Sequence, residues 1–374
     1  MSEDLISRKQ LDLLPYRIQK ALESDAVEFL RYYLTPSDSA LSILKNQEKP
    51  FRVMIVGAGG SYSAALAISH YVKKWLQTPN VEVYPPQTAL RVMEKTYGQK
   101  YDIIIGLSYS GETPDILAVY GLSALKNYPF LLVTGAKKDT TLQKVQLYFA
   151  AIRYGCRGKW PHPKIVSYFN PEDESGKEKG YISMFSTLAP VVLFDKATGG
   201  NKDYASQIAS ETKENVLELL FDNWFADSLR RHPVIHVLYE WENFPAASYL
   251  ESIFIESGIA NVVLHEKKNF SHGRMSILCC QDFGLVINLV FSENSYEEKL
   301  DKIIRELCEK KERNYLKIKS EAKGQDSSNF ETMCRALGFA VSLSESLGVD
   351  ISNPFRGKKH PHGEADLYDH DEDF

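Results

Sequence analysis

Short apolar runs with no polar alternation, each leading into a helical pattern, recur along this chain. An unalternating run is what a parallel strand buried on both faces requires, and the strand–helix rhythm predicts βαβ units. Between positions 51 and 195 the predicted strands are 52–57, 81–84, 102–107, 129–134 and 147–151. The predicted helices there are 61–77, 87–95, 113–127 and 139–145. The stretch 160–180 carries Pro161, Pro163 and Pro171 with a charged, glycine-containing run, and reads as a long loop before a helix over 184–194. A polar turn at 198–202 and a long connecting helix follow. The rhythm then restarts, with strands at 233–239, 261–264 and 284–291 and helices at 245–257 and 295–310. Alternating charge at i,i+4 spacing makes the last of these a solvated face. The 320–330 segment is polar enough to be expected disordered. At the other end, Leu11, Leu14, Ile18 and Leu22 recur at helical spacing. The expected organisation is N-terminal helices (1–48), a first α/β domain (49–197), a connector (198–230), a second α/β domain (231–345) and a tail (346–374).

Two strand-to-helix junctions carry the candidate chemistry. Gly57-Ala-Gly-Gly-Ser-Tyr62 and Ser108-Tyr-Ser-Gly-Glu-Thr113 each place small residues and hydroxyls where a strand ends and a helix begins. Glycines let the backbone turn sharply there, and the helix N-terminus adds unpaired N–H groups and a partial positive charge. Ser61, Ser63, Ser108, Ser110 and Thr113 line that edge, with no lysine or metal ligand in either loop. The guest such a loop suits is a small anion, best a phosphate monoester. A dinucleotide fingerprint starts with Gly57 and Gly59 but has Tyr62 where its third glycine belongs, and the Gly-Lys-Ser/Thr of a nucleotide P-loop is absent. The plainer alternative for Gly57–Gly60 is a tight turn without a ligand.

Composition narrows the class. The chain has 374 residues, enough for two domains of usual size, and a net charge of −5 with no dense basic patch. Nucleic acid is therefore not an expected partner, and an N-terminal helix-turn-helix is disfavoured by that segment's acidity. No apolar run is long enough to span a bilayer, and no basic-then-apolar leader opens the sequence. Five cysteines without a Cys-x-x-Cys pair favour reduced core thiols and a cytoplasmic setting over disulfides or zinc.

The string Ser108-Tyr-Ser-Gly-Glu-Thr113, preceded by Gly57-Ala-Gly-Gly-Ser-Tyr62, resembles the sugar isomerase (SIS) domain, in a form close to the isomerase half of glucosamine-6-phosphate synthases. The resemblance spans roughly residues 50–359. It implies two flavodoxin-like SIS domains, each a parallel sheet flanked by helices. It also implies a sugar phosphate held by Ser61, Ser108, Ser110 and Thr113, with Tyr109 standing where the synthases have glutamine. Glu178-Lys-Gly-Tyr-Ile-Ser183 resembles the segment that closes over the sugar, which makes Ser183 a substrate contact; capping of helix 184–194 is its structural alternative. Leu285-Val-Ile-Asn-Leu-Val-Phe-Ser-Glu-Asn-Ser295 occupies the corresponding place in the second half but lacks the hydroxyl string, so only the first copy keeps the anion loop.

The same resemblance supplies an acid–base pair. In that family a helix glutamate precedes the histidine of a Lys-His-Gly-Pro string by sixteen positions, and Glu256 and His272 stand at that separation here. Glu256 is the implied proton shuttle and His272 the implied ring-opening group. A shielded carboxylate has its pKa raised toward the working range, and an imidazole exchanges protons near neutrality. A structural ion pair of Glu256 with Arg274 is the alternative, and Glu251 is a further candidate or a solvated carboxylate. Ile253 replaces a synthase lysine, and Arg274 replaces the proline after His-Gly and offers a further anion contact. The tail Asp350-Ile-Ser-Asn-Pro-Phe-Arg-Gly-Lys-Lys359 resembles the family's covering segment, with Lys359 as the lid lysine. The histidine- and carboxylate-rich residues beyond it are expected to be a solvated acidic tail rather than a metal site. No glutaminase domain is expected, which excludes ammonia-channelling synthesis. The expectation is thus a cofactor-free, metal-free phosphosugar protein that forms a homodimer or larger assembly, with sites shared between subunits. Its activity would be aldose–ketose isomerisation or C–N cleavage of an amino-sugar or fructosamine 6-phosphate; the alternative is a non-catalytic phosphosugar-sensing regulator.

Overall fold

The structure is a computed structural model describing residues 6–34, 51–95, 101–111, 113–137, 164–168, 184–200, 202–218, 223–291, 294–321 and 325–351. Its frame is two fully parallel sheets. The first runs β2-β1-β3-β4-β5, formed by β1 (Val53–Val56), β2 (Val81–Tyr84), β3 (Ile103–Leu107), β4 (Phe130–Thr134) and β5 (Lys164–Ser167). The second runs β7-β6-β8-β9, formed by β6 (Val234–Tyr239), β7 (Asn261–Glu266), β8 (Leu285–Val290) and β9 (Asn314–Lys319). Corresponding strands pair in the same register: Val53 lies opposite Ile103 as Ile235 lies opposite Leu285. The duplication is therefore real at the level of backbone pairing.

Strand pleating sorts the apolar residues. Val53 and Ile55 enter one large core, whereas Met54 and Val56 pack outward against Ala89, Met93, Ile116 and Tyr120 of helices Pro86–Lys95 and Pro114–Leu125. In the second sheet, Ile235 and Val237 join the large core, while Leu238 and Val286 face Leu300, Ile304 and Cys308 of helix Ser295–Lys310. The large core is continuous between the sheets. It includes helix Gly60–Trp75, helix Phe185–Ala197 (buried on nearly every side), helix Phe244–Glu256, helix Gln325–Leu347 and the N-terminal helices Ile6–Glu23 and Ala26–Leu34. Leu11, Leu14, Ile18 and Leu22 are all buried in it, so the N-terminal helices are part of the body of the fold.

Two expectations need correction. The stretch read as a loop contains β5, a short strand whose Ile165 and Val166 are buried; two apolar residues between prolines and charges are too few to signal a strand. Part of the polar 320–330 segment is ordered: the long helix begins at Gln325, and Ser320, Ser328 and Asn329 are buried. Glu331 accepts from Ser320 Oγ at 2.6 Å, the Glu321 amide at 2.9 Å and Arg335 Nε at 2.9 Å. The expected strand 147–151 and helix 139–145 fall outside the described residues. Cys308 and Cys334 are buried thiols as expected, but Cys279 and Cys280 are exposed.

One buried polar pair was not anticipated. His236 Nδ1 and His265 Nε2, on adjacent strands β6 and β7, lie 2.9 Å apart, and their other ring nitrogens have no partner among the described residues. Burial holds both imidazoles well below the ordinary value, to about 4, aided by their mutual proximity at His236 and by Arg274 at His265. The unfolded chain takes up these protons as the pH falls through about 6.5, while the folded chain resists until about 4. Stability from this pair is therefore whole above pH 6.5 and is lost on acidification toward 4, by up to about 3 kcal/mol per imidazole. Urea denaturation between pH 7.5 and 4.5 is expected to show this fall, and His236→Leu with His265→Leu to flatten it. An equally steep fall in the double variant would assign it elsewhere.

Candidate functional site

In a parallel sheet ligands lie beyond the carboxyl ends of the strands, where successive connections leave in opposite directions. In the first sheet that point is between β1 and β3, and both hydroxyl-bearing loops meet it. After β1, Gly57 is required by close approach: a Cβ there would lie 2.3 Å from the Ser61 carbonyl oxygen. Gly59 takes a left-handed φ of 52° and turns the chain into helix Gly60–Trp75. Ser61 N and Tyr62 N close that first turn onto the carbonyls of Ala58 and Gly59. No side chain among the described residues caps this N-terminus, which keeps its dipole directed at the opening.

After β3 the loop is internally braced. The Ser108 and Thr113 hydroxyl oxygens are 2.8 Å apart, and the Gly111 amide donates to Ser108 Oγ at 3.1 Å. The Tyr109 carbonyl accepts from Thr134 Oγ1 at 3.0 Å and from the Gly135 amide at 3.1 Å, tying the loop to the end of β4. The Tyr109 ring lies over Gly135 and near Tyr168, so it forms a side wall toward β4 and β5. Ser108 is buried, and Ser61, Ser110 and Thr113 are half-buried. The structure thus brings together Ser61's helix turn and the Ser108–Thr113 loop on one sheet edge.

The second half reaches this region through helix Phe244–Glu256. It packs on helix Gly60–Trp75, and Ser63 Oγ lies 3.1 Å from Ser248 Oγ across the contact. Further along, Ile253 and Phe254 are buried while Ile255 and Glu256 are exposed, so Glu256 is not on the apolar face expected of it. Ser252 Oγ donates to its carboxylate. Although the residue is exposed as a whole, atoms crowding the carboxyl desolvate it and hold its pKa above the ordinary range, against the opposing pull of Ser252. Among the described residues Glu256 forms no ion pair with Arg274 and no hydrogen bond with His272. His272 and Arg274 are exposed on the turn Phe270–Arg274, which Gly273 breaks with a φ of 142°. Arg274 does act on Tyr239, as do Glu266 and Glu251; burial raises the Tyr239 pKa, the two carboxylates add to this, and Arg274 opposes it. Glu251 is half-buried, with its own pKa raised by burial. Tyr239, Glu251, Glu266 and Arg274 share the carboxyl edge of the second sheet, whereas Glu256 ends the helix that runs back from that edge toward the start of β7. Ser183 and Lys359 lie outside the described residues.

Three charged residues at this second edge carry no warning in the sequence. Lys267 and Glu297 are buried and paired at 2.6 Å, with Glu240 4.0 Å from the same ammonium. Glu297 sits in the helix whose charge pattern predicts a solvated face; that pattern holds for the outer residues, but Glu297, Leu300, Ile304 and Cys308 form its buried stripe. Among the described residues, no group of three or more His, Cys, Asp or Glu is arranged to hold a metal ion, and no helix is long and apolar enough to cross a membrane.

Residues 46–152 match the SIS domain family. This part of the chain is a SIS domain. The match includes both hydroxyl loops. No curated protein sequence matches the chain. Among solved structures, tagatose-6-phosphate ketose/aldose isomerase from Escherichia coli is similar with a TM-score of 0.68 at 16% identity, covering 94% of this chain and 95% of that one. The C-terminal domain of glucosamine-fructose-6-phosphate aminotransferase from Francisella tularensis gives 0.62 at 14%, covering 93% and 97%. Glucosamine-6-phosphate deaminase from Thermotoga maritima gives 0.59 at 16%, covering 93% and 97%. At these identities the likeness is one of fold, and it extends past the SIS match through the second sheet.

The loop geometry orders two substitutions. Gly57→Ala drives a methyl into the Ser61 carbonyl and is expected to cost about 1–3 kcal/mol. Gly59→Ala has open space and only an unfavourable φ to bear, at about 1 kcal/mol. Equilibrium urea denaturation checks the order; a costlier Gly59→Ala would contradict the close approach at Gly57.

Proposed function

We propose that this chain binds a sugar 6-phosphate at the β1–β3 edge and acts on it as an aldose–ketose isomerase, or as a relative that cleaves a C–N bond on an amino-sugar or fructosamine phosphate. The observation that carries this reading is the Ser108–Thr113 loop. Its hydroxyls and amides converge beside an uncapped helix N-terminus, with no fixed cation in either loop. Such a site favours a compact dianion through oriented dipoles and hydroxyl donors. The Tyr109 wall bounds the space toward the sugar.

Both reactions begin alike. Ring opening moves a proton between the anomeric oxygen and the ring oxygen, the role we give to His272. Glu256 then takes the proton from the carbon beside the carbonyl and returns it to the neighbouring carbon through an enediol. Its raised pKa suits a carboxylate that must both accept and release a proton. Because Glu256 and His272 make no contact within one chain, a second copy is proposed to bring His272 to the site, with Arg274 beside it. Ser183 and Lys359 are proposed to close over the sugar.

A sensor is the second reading. It is favoured by Ile253, buried where the synthases carry a lysine three positions before the glutamate. Thermal-shift measurements with sugar, amino-sugar and fructosamine phosphates, followed by NMR in deuterated water, separate the two. Stabilisation by a hexose 6-phosphate is expected, and is expected to vanish in Ser108→Ala with Ser110→Ala. Glu256→Gln is expected to keep binding while deuterium incorporation beside the carbonyl falls at least 100-fold, about the contribution of a general base. Binding without exchange in the wild type would favour the sensor, and no binding would end the phosphosugar reading.

A further inference from the structure

The shared strand order of the two sheets places the loops after β6 and β8, with Glu240 and Phe291, where the loops after β1 and β3 stand in the first sheet. The first crevice offers its hydroxyls and amides to a guest. The second is filled by charges of the chain itself. Glu240 Oε2 accepts from the Phe291 amide at 3.2 Å, in the loop that replaces the hydroxyl string. Lys267 Nζ lies 4.0 Å from that oxygen and donates to Glu297 Oε2 at 2.6 Å, with both of these side chains 1% exposed.

The three charges come from three connections: Glu240 follows β6, Lys267 follows β7, and Glu297 lies in the first turn of the helix after β8. A buried ion pair gains little net stability, because desolvating both charges offsets their attraction. Among the described residues Glu297 Oε1 is even left without a hydrogen-bond partner. What the cluster does supply is a fixed start for the segment that carries His272 and Arg274. The Lys267 carbonyl accepts from Ser271 Oγ at 3.0 Å and from the Tyr296 hydroxyl at 3.1 Å, and those two hydroxyls are 2.7 Å apart. Glu266 caps the turn through the amides of Lys268 and Asn269, and Phe270 is buried against His265. Every residue from 266 to 271 except Lys268 and Asn269 has a side chain tied into this frame. His272, Gly273 and Arg274 then emerge into solvent.

We infer that Lys267, clamped by Glu297 and Glu240, is the positioning residue for the His272-Gly-Arg274 segment, with Tyr296 as its outer brace. This inference rests on the proposed reaction, in which His272 handles the ring-opening proton. The alternative is a cluster that serves stability alone.

Lys267→Met with Glu297→Leu removes both buried charges at similar volume, a replacement that buried ion pairs often tolerate. In the full chain this variant is expected to fold and to be stabilised by hexose 6-phosphate as the wild type is. Deuterium incorporation into the sugar is expected to fall at least tenfold through kcat rather than KM, and amide hydrogen exchange over 267–276 to quicken at least tenfold. Should the double variant not fold, Tyr296→Phe decides, since Tyr296 is exposed; a three- to tenfold loss of kcat with faster exchange over the same segment is expected. A folded double variant, or in its absence Tyr296→Phe, with wild-type kcat and wild-type segment protection overturns the clamp alone. A wild-type chain inert toward every sugar phosphate overturns the proposed reaction and the clamp with it.

Discussion

The contact between helices Gly60–Trp75 and Phe244–Glu256 is the constraint on which the candidate site depends. The first helix begins in the glycine loop and buries Ala64, Ala65, Ala67 and Ile68 in the core between the sheets. The second helix packs on the first, and Ser63 and Ser248 satisfy one another near the start of each helix. Neither the anion loop nor the helix bearing Glu256 can shift without opening this core. Apolar packing, rather than any polar link, therefore sets the distance between the proposed binding and chemical groups.

Duplication gives the molecule two crevices of the same backbone design, and the side chains divide their roles. Ser108 and Thr113 give the first a hydroxyl loop, whereas Glu240, Lys267 and Glu297 place a set of neighbouring charges at the second. In the proposed reaction the second half carries Glu251, Glu256, His272 and Arg274 rather than the phosphate loop.

Much of this fold was legible because strands buried on both faces leave continuous apolar runs, as at Val53–Val56, Ile103–Leu107 and Leu285–Val290. Lys164–Ser167 escaped notice because an edge strand of four residues has too few apolar positions to outweigh the prolines before it. The polar cluster at Glu331 and the pair Lys267–Glu297 were illegible for another reason. A charge reads the same in sequence whether it meets water or a buried partner, and only the tertiary fold decides. The place of the two hydroxyl loops at one sheet edge was legible from the apolar strand before each. The separate placement of Glu256 and His272 was not, since their spacing along the chain says nothing of where the fold puts each side chain.

The central claim is that the anion site is the edge between β1 and β3. Titrating the isotope-labelled chain with fructose 6-phosphate, with fructose as control, and following backbone amide resonances tests it most directly. Saturable shifts concentrated at residues 57–62 and 108–113, absent with fructose, are the result this account predicts. Shifts centred on 240–243 and 290–295, or none at saturating ligand, would contradict it.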